Sequence, residues 1–259
     1  MKDYSYRGKT VVSHNGRRAF SGANATENFM ASVYLWMTGA LVVTGLAAIL
    51  TIGPAAFNPN VSQEEAIQIA LGTAVGRAVF GSQFGYIALI IAEFAVVFFL
   101  ALRINKMSKT AAMLAFFAYA TLNGVTLSAI FLVYSLPSIA TAFFISAGMF
   151  GGMSVFGLIT KKDLTKIGSI CGMLLWGVII ASLVNMFLKS PGFSWVVSLI
   201  AVVVFTGLTA YDTQKLKNMQ ISGDGDMYAK ASIFGALQLY LDFINMFLAL
   251  LRLFGRSRD

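Results

Sequence analysis

The stretch from Thr110 to Thr160, TAAMLAFFAYATLNGVTLSAIFLVYSLPSIATAFFISAGMFGGMSVFGLIT, contains no charged residue. A helix rises about 1.5 Å per residue and needs roughly 20 apolar residues to cross the hydrocarbon core of a bilayer. The run is far too long for one crossing, and Ser135-Leu136-Pro137-Ser138 interrupts it with a residue that cannot continue a helical hydrogen-bond ladder. Two spans joined by a tight turn follow, at about 112–134 and 139–160. Working outward, further apolar segments lie at about 33–52 and 86–104 on one side and about 167–188, 194–212 and 229–253 on the other. All are continuous rather than alternating, which predicts helices and not a barrel.

Composition agrees. Of 259 residues, 58% are apolar and 12% charged, and mean hydropathy is +0.76. A soluble domain carries about 25% charged residues, and no soluble core of this size hides so much apolar surface. The fold class expected is an all-α integral membrane protein, a seven-helix bundle. A polar, basic tail (1–28) precedes one membrane domain (29–255), with no soluble catalytic module. The tail is too long and its charges too far from the first apolar stretch for a signal peptide. The lone Cys171 excludes an intrachain disulfide framework and any multi-cysteine metal site; among apolar neighbours it reads as core. His14, in the tail, has no partner at metal-ligand spacing.

The formal net charge of +8 reads as topology and not as nucleic-acid binding. Lys2, Arg7, Lys9, Arg17 and Arg18 lie in the tail, Arg103, Lys106 and Lys109 around the second loop, Lys161, Lys162 and Lys166 in the fourth, and Lys215, Lys217 and Lys230 around the sixth. The intervening loops hold only Arg77 and Lys189. This predicts a cytoplasmic N-terminus. Arg252, Arg256 and Arg258 are the exception: either 229–253 crosses and leaves them outside, or it re-enters; its length favours crossing. In the first loop, Ser62 with Glu65 three residues on is a capping-box signature, predicting a surface helix through Val79.

An acid within a span is costly and is usually paired or functional. Glu93 lies in the second span, Asp242 near the middle of the seventh, and Asp212 at the end of the sixth, where Arg103 closes the second on the same face. Two facing carboxyls would share protonation, and with Tyr211, Gln238 and Asn245 nearby they would suit a proton or a hard cation such as Ca²⁺ rather than Zn²⁺. Asn123 and Asn185 fit helix–helix hydrogen bonding, and the pairs Gly148/Gly152 and Gly168/Gly172 fit close helix approach. Gly223-Asp224-Gly225-Asp226 is a fragment of a calcium loop without the remaining ligands, and reads as a turn.

Tyr211-Asp212-Thr213-Gln214, Leu239-Tyr240-Leu241-Asp242-Phe243-Ile244-Asn245 and Leu250-Leu251-Arg252-Leu253-Phe254-Gly255, with Glu93 and Arg103, closely resemble the Bax inhibitor-1 family, also called the transmembrane BAX inhibitor motif family. The resemblance covers nearly all of residues 25–255, and the chain looks like a bacterial inner-membrane member. It implies a central seventh helix surrounded by six others and a periplasmic C-terminus. It also implies a pH-sensitive passive calcium leak, sensed by an aspartate pair matching Asp212 and Asp242. A basic residue ending the second span would latch the closed state. Arg103 is the nearest match, about one position out of register, with Lys106 a poorer one. The family's second-span acid matches Glu93.

The leading expectation is a cation pathway with Ca²⁺ as permeant species, no cofactor, transient Ca²⁺ at Asp212 and Asp242, and the lipid bilayer as its surroundings. The alternative is a non-transporting membrane regulator that binds a quality-control protease or stress-response partner. An intramembrane aspartyl protease fits poorly, because Asp242 lacks the Gly-x-Gly that precedes the second aspartate in such enzymes; the chain is expected not to be an enzyme.

Overall fold

A computed structural model describes residues 22–58, 60–219 and 225–258. The basic residues of the tail, His14 and Gly223-Asp224 lie outside them. The helices are α1 (Gly22–Ile52), α2 (Gln63–Gly72), α3 (Ala74–Phe80), α4 (Gln83–Arg103), α5 (Lys109–Leu127), α6 (Ile130–Val133), α7 (Leu136–Ile159), α8 (Thr165–Leu188), α9 (Pro191–Lys217) and α10 (Gly225–Phe254). Seven of the rods, with α5 and α6 forming one, are long and apolar enough to cross a membrane. The chain is an all-α, multi-spanning membrane bundle. Because α1 starts at Gly22, the last residues of the expected tail are already helical.

Local chemistry sets the boundaries. Pro137 lies in the first turn of α7, where a missing N–H costs nothing. Ser82, Ser108 and Ser190 cap α4, α5 and α9. Before α8, Asp163 accepts from both the backbone N–H and the hydroxyl of Thr165, and these bonds hold its exposed carboxyl below the usual range. The capping box of α2 forms as its sequence predicts: Glu65 N–H donates to Ser62 Oγ, and Ser62 N–H donates to the Glu65 carboxylate. The single helix expected through Val79 is instead two. Thr73 breaks it by ending α2 and capping α3, accepting from Gly76 N–H at 2.8 Å and donating to Thr51 O.

α10 is the packing centre. In its most apolar stretch 72% is buried, against 6% in α4 and 11% in α8. It lies against α1, α5, α7 and α9. The implied ring of six is incomplete, since α4 packs chiefly on α5 and α8 on α9, leaving both largely to lipid. Close crossings depend on glycine. A Cβ at Gly124 would lie 2.3 Å from Thr44 O, and one at Gly157 2.4 Å from Ala210 O. Of the expected glycine pairs, only Gly168 seats a neighbour, the Tyr211 ring; Gly148, Gly152 and Gly172 face open space.

The end of α10 is tied back onto the bundle. α10 crosses, and the residues after it pair with the first and third loops: Ser135 N–H donates to Arg256 O at 3.0 Å, Arg258 N–H to Val133 O at 2.9 Å, and Tyr134 and Ser257 form a β-bridge. The Arg258 guanidinium is buried and donates to four backbone carbonyls, of Ala56, Asn58, Val61 and Phe131, at 2.9–3.1 Å. This cation clamps the first loop and α6 to the end of the central helix. Arg258→Ala is expected to destabilise the bundle by about 1–3 kcal/mol, the usual worth of hydrogen bonds to a charged group. Arg258→Lys should recover only part, because an ammonium cannot span the same fork. Thermal unfolding in detergent reads both, and an unchanged midpoint for Arg258→Ala would refute the clamp.

Candidate functional site

Successive helical residues point about 100° apart, so four in a row address every side of a helix. Tyr211-Asp212-Thr213-Gln214 near the end of α9 does this. Tyr211 lays its ring over Gly168 of α8, with Lys215 Nζ 5.8 Å from its centroid. Thr213 faces Ser154 of α7, 3.5 Å between hydroxyl oxygens. The Gln214 amide clamps the loop before α8, donating to Lys162 O at 2.8 Å and accepting from Leu164 N–H at 2.9 Å. Asp212 faces α10.

There it meets Asp242. Both are buried, 9% and 5% exposed, and their carboxyls are adjacent. Two carboxylates offer only acceptors, so a hydrogen bond between them would need a proton on one. The second oxygen of Asp242 is fully buried with no hydrogen-bond partner, and so is Gln238 Oε1 one turn earlier on the same helix. Buried polar atoms are rarely left unpaired. These unsatisfied acceptors, beside the shared carboxyl, make a buried oxygen-rich spot inside the bundle, suited to a proton or a hard cation. Among the described residues no group of three or more His, Cys, Asp or Glu side chains gathers at metal-binding distance.

The other expected residues disperse. Arg103 is exposed at the end of α4. Tyr211 faces α8. Asn245 returns its amide to Leu241 O of its own helix at 2.8 Å. Asn185 accepts from Ser190 N–H at 3.2 Å, closing the α8–α9 turn rather than bridging two spans.

Glu93 belongs to a separate network. Its carboxylate accepts from Asn123 Nδ2 and, at 2.8 Å, from the Thr126 hydroxyl, both on α5. Asn123 Oδ1 accepts from the Tyr240 hydroxyl at 3.0 Å, and that hydroxyl lies 2.7 Å from Thr44 Oγ1 on α1. Tyr240 is fully buried, with Phe116 and Tyr119 edge-on to its ring. The chain Glu93–Asn123–Tyr240–Thr44 thus ties α4, α5, α10 and α1 together. Sequence reading finds Glu93 and Asn123 because they are polar in apolar runs. Tyr240, Thr44 and the clamp of Gln214 carry no such signal, since tyrosine and threonine are common in membrane helices and Gln214 stands beside the interface.

A seven-span bundle with a buried carboxyl pair between its central helix and α9 defines a multi-pass membrane protein with an internal polar site. The family described as Inhibitor of apoptosis-promoting Bax1 matches residues 26–259. The chain is 46% identical over 235 residues to the inner membrane protein YbhL of Escherichia coli K12, covering 90% of this chain and 93% of that protein. It is 40% identical to RP147 of Rickettsia prowazekii over the full length of both, and 40% identical over 232 residues to a Deinococcus radiodurans protein, covering 89% and 91%. The chain belongs to the Bax inhibitor-1 family.

The Glu93 network is a unit, so its members should couple. Asn123→Ala and Tyr240→Phe are expected each to destabilise the bundle, and the double variant to depart from additivity by about 0.5–3 kcal/mol. Unfolding in detergent measures the cycle. Strict additivity would mean the chain is not continuous.

Proposed function

We propose that this protein is a passive, pH-sensitive cation leak of the bacterial inner membrane, most suited to Ca²⁺, in which Asp212 and Asp242 form the proton-sensitive element. The supporting observation is the buried carboxyl pair with an unpartnered Asp242 oxygen at the heart of the bundle. With one shared proton the two acids hold α9 and α10 together. On loss of that proton the carboxylates repel. Asp212 then turns toward the basic end of α4, where Arg103 stands, and Asp242 and Gln238 are left to coordinate a cation with oxygen ligands. Flux down a gradient needs no nucleotide and no cofactor.

Purified protein in liposomes loaded with a Ca²⁺ indicator tests this. The wild type is expected to admit Ca²⁺ at a rate that changes with pH, and Asp212→Asn and Asp242→Asn to abolish the pH dependence. Flux indifferent to both substitutions would sink the proposal and favour a regulator that works by binding a membrane partner.

The location rests on similarity to an inner membrane protein, and the orientation on the loop charges. The N-terminus is assigned to the cytoplasm and the residues after α10 to the periplasm. Single cysteines in a Cys171→Ala background should report it: a cysteine at Ser257 should react with an impermeant maleimide in intact spheroplasts, and one at Asp163 only after lysis. The reverse pattern would invert the assignment.

A further inference from the structure

α1 and α7 each pack on α10 but hardly on each other. Between them opens a cavity of about 540 Å³ whose floor is α10 at Phe243 and Phe247. Only two lining side chains are polar, Thr38 and Thr44. Thr38 donates to Tyr34 O at 2.8 Å, and Thr44 is engaged with Ala40 O, Ala120 O and the Tyr240 hydroxyl. The walls therefore offer no unengaged side-chain group to a polar ligand, and water needs two or more partners to settle in such a space.

Along α1 the cavity runs from Thr38 to Ala48. At 1.5 Å per residue this is about 15 Å, half the roughly 30 Å hydrocarbon thickness, the depth of a single leaflet. On α7 it is lined by residues between Leu136 and Phe144, the end nearer the first loop. Its mouth continues the lipid-facing surface: Val42 and Phe144, both lining residues, are 56% and 72% exposed. At Gly45, also in the lining, a Cβ would meet nothing within 4 Å.

We infer that this cleft is a binding site for one acyl chain of a bilayer phospholipid, in the leaflet on the side of the first loop. The tail lies lengthwise between α1 and α7 and supplies the dispersion contacts that a gap there would forfeit. It completes the packing of α10 between α1 and α7, along Phe243 and Phe247. The site stands independently of the proposed ion leak.

Native mass spectrometry of delipidated protein titrated with palmitoyl-oleoyl phosphatidylglycerol tests the inference. The wild type is expected to retain one phospholipid per chain. Gly45→Phe and Ala140→Phe fill the cleft from opposite walls and should bind it about tenfold more weakly or worse, since each excluded methylene removes buried apolar area. Gly172→Phe is the control, because Gly172 also faces open space but lies outside the cleft; it should bind like the wild type. Melting temperatures confirm that each variant is folded, and Ala140→Phe carries the test alone if Gly45→Phe fails. No retained phospholipid in the wild type, or equal retention in all three variants, would overturn the site. So would recovery, from wild-type protein, of a bound apolar molecule that phospholipid cannot displace.

Discussion

Hydrocarbon offers a polar group nothing to bond, so an acid, amide or hydroxyl inside the bundle depends on the protein for a partner, in its own helix backbone or in another helix. That constraint falls hardest on α10, the most enclosed helix, which carries Gln238, Tyr240 and Asp242 within little more than one turn. Two of these project toward polar partners, Tyr240 to Asn123 and Thr44, Asp242 to Asp212. The positions of α1, α5 and α9 around α10 follow from satisfying them. α4 joins one step removed, through Glu93, and its remaining surface stays with lipid.

The two polar clusters differ in kind. In the Glu93 network donors and acceptors alternate along the chain, so it is satisfied as it stands and acts as a fixed tie. The aspartate pair is not: one carboxyl oxygen and a neighbouring amide oxygen are buried without partners. A satisfied network rigidifies, whereas an unpaired buried polar group is costly. The same helix therefore carries a satisfied anchor and an unsatisfied pair.

At the other end of α10, Arg258 does for irregular backbone what the helices do for themselves. The segment 54–61 and the short helix α6 present backbone carbonyls, and one guanidinium gathers four of them. One of the three arginines after the middle of α10 is thus a structural clamp.

Much was legible beforehand. The uncharged run from Thr110 to Thr160, the break at Pro137, the Ser62–Glu65 cap and the seven apolar segments each follow from local rules of length, capping and hydropathy. So does the rarity of Glu93, Asp212 and Asp242 as acids in apolar surroundings. What composition and spacing could not supply is which face of each helix meets which neighbour. Four consecutive residues of α9 serve three different helices and a loop. Glycines with equal spacing are tight at 168 and open at 172. Arg103 stands apart from Asp212 in this arrangement, while Tyr240 joins helices distant in sequence. Hydrophobic transfer decides from sequence alone that helices enter the bilayer. Their rotation and pairing depend on matching shapes and single hydrogen bonds between helices, contacts that exist only once the bundle has assembled.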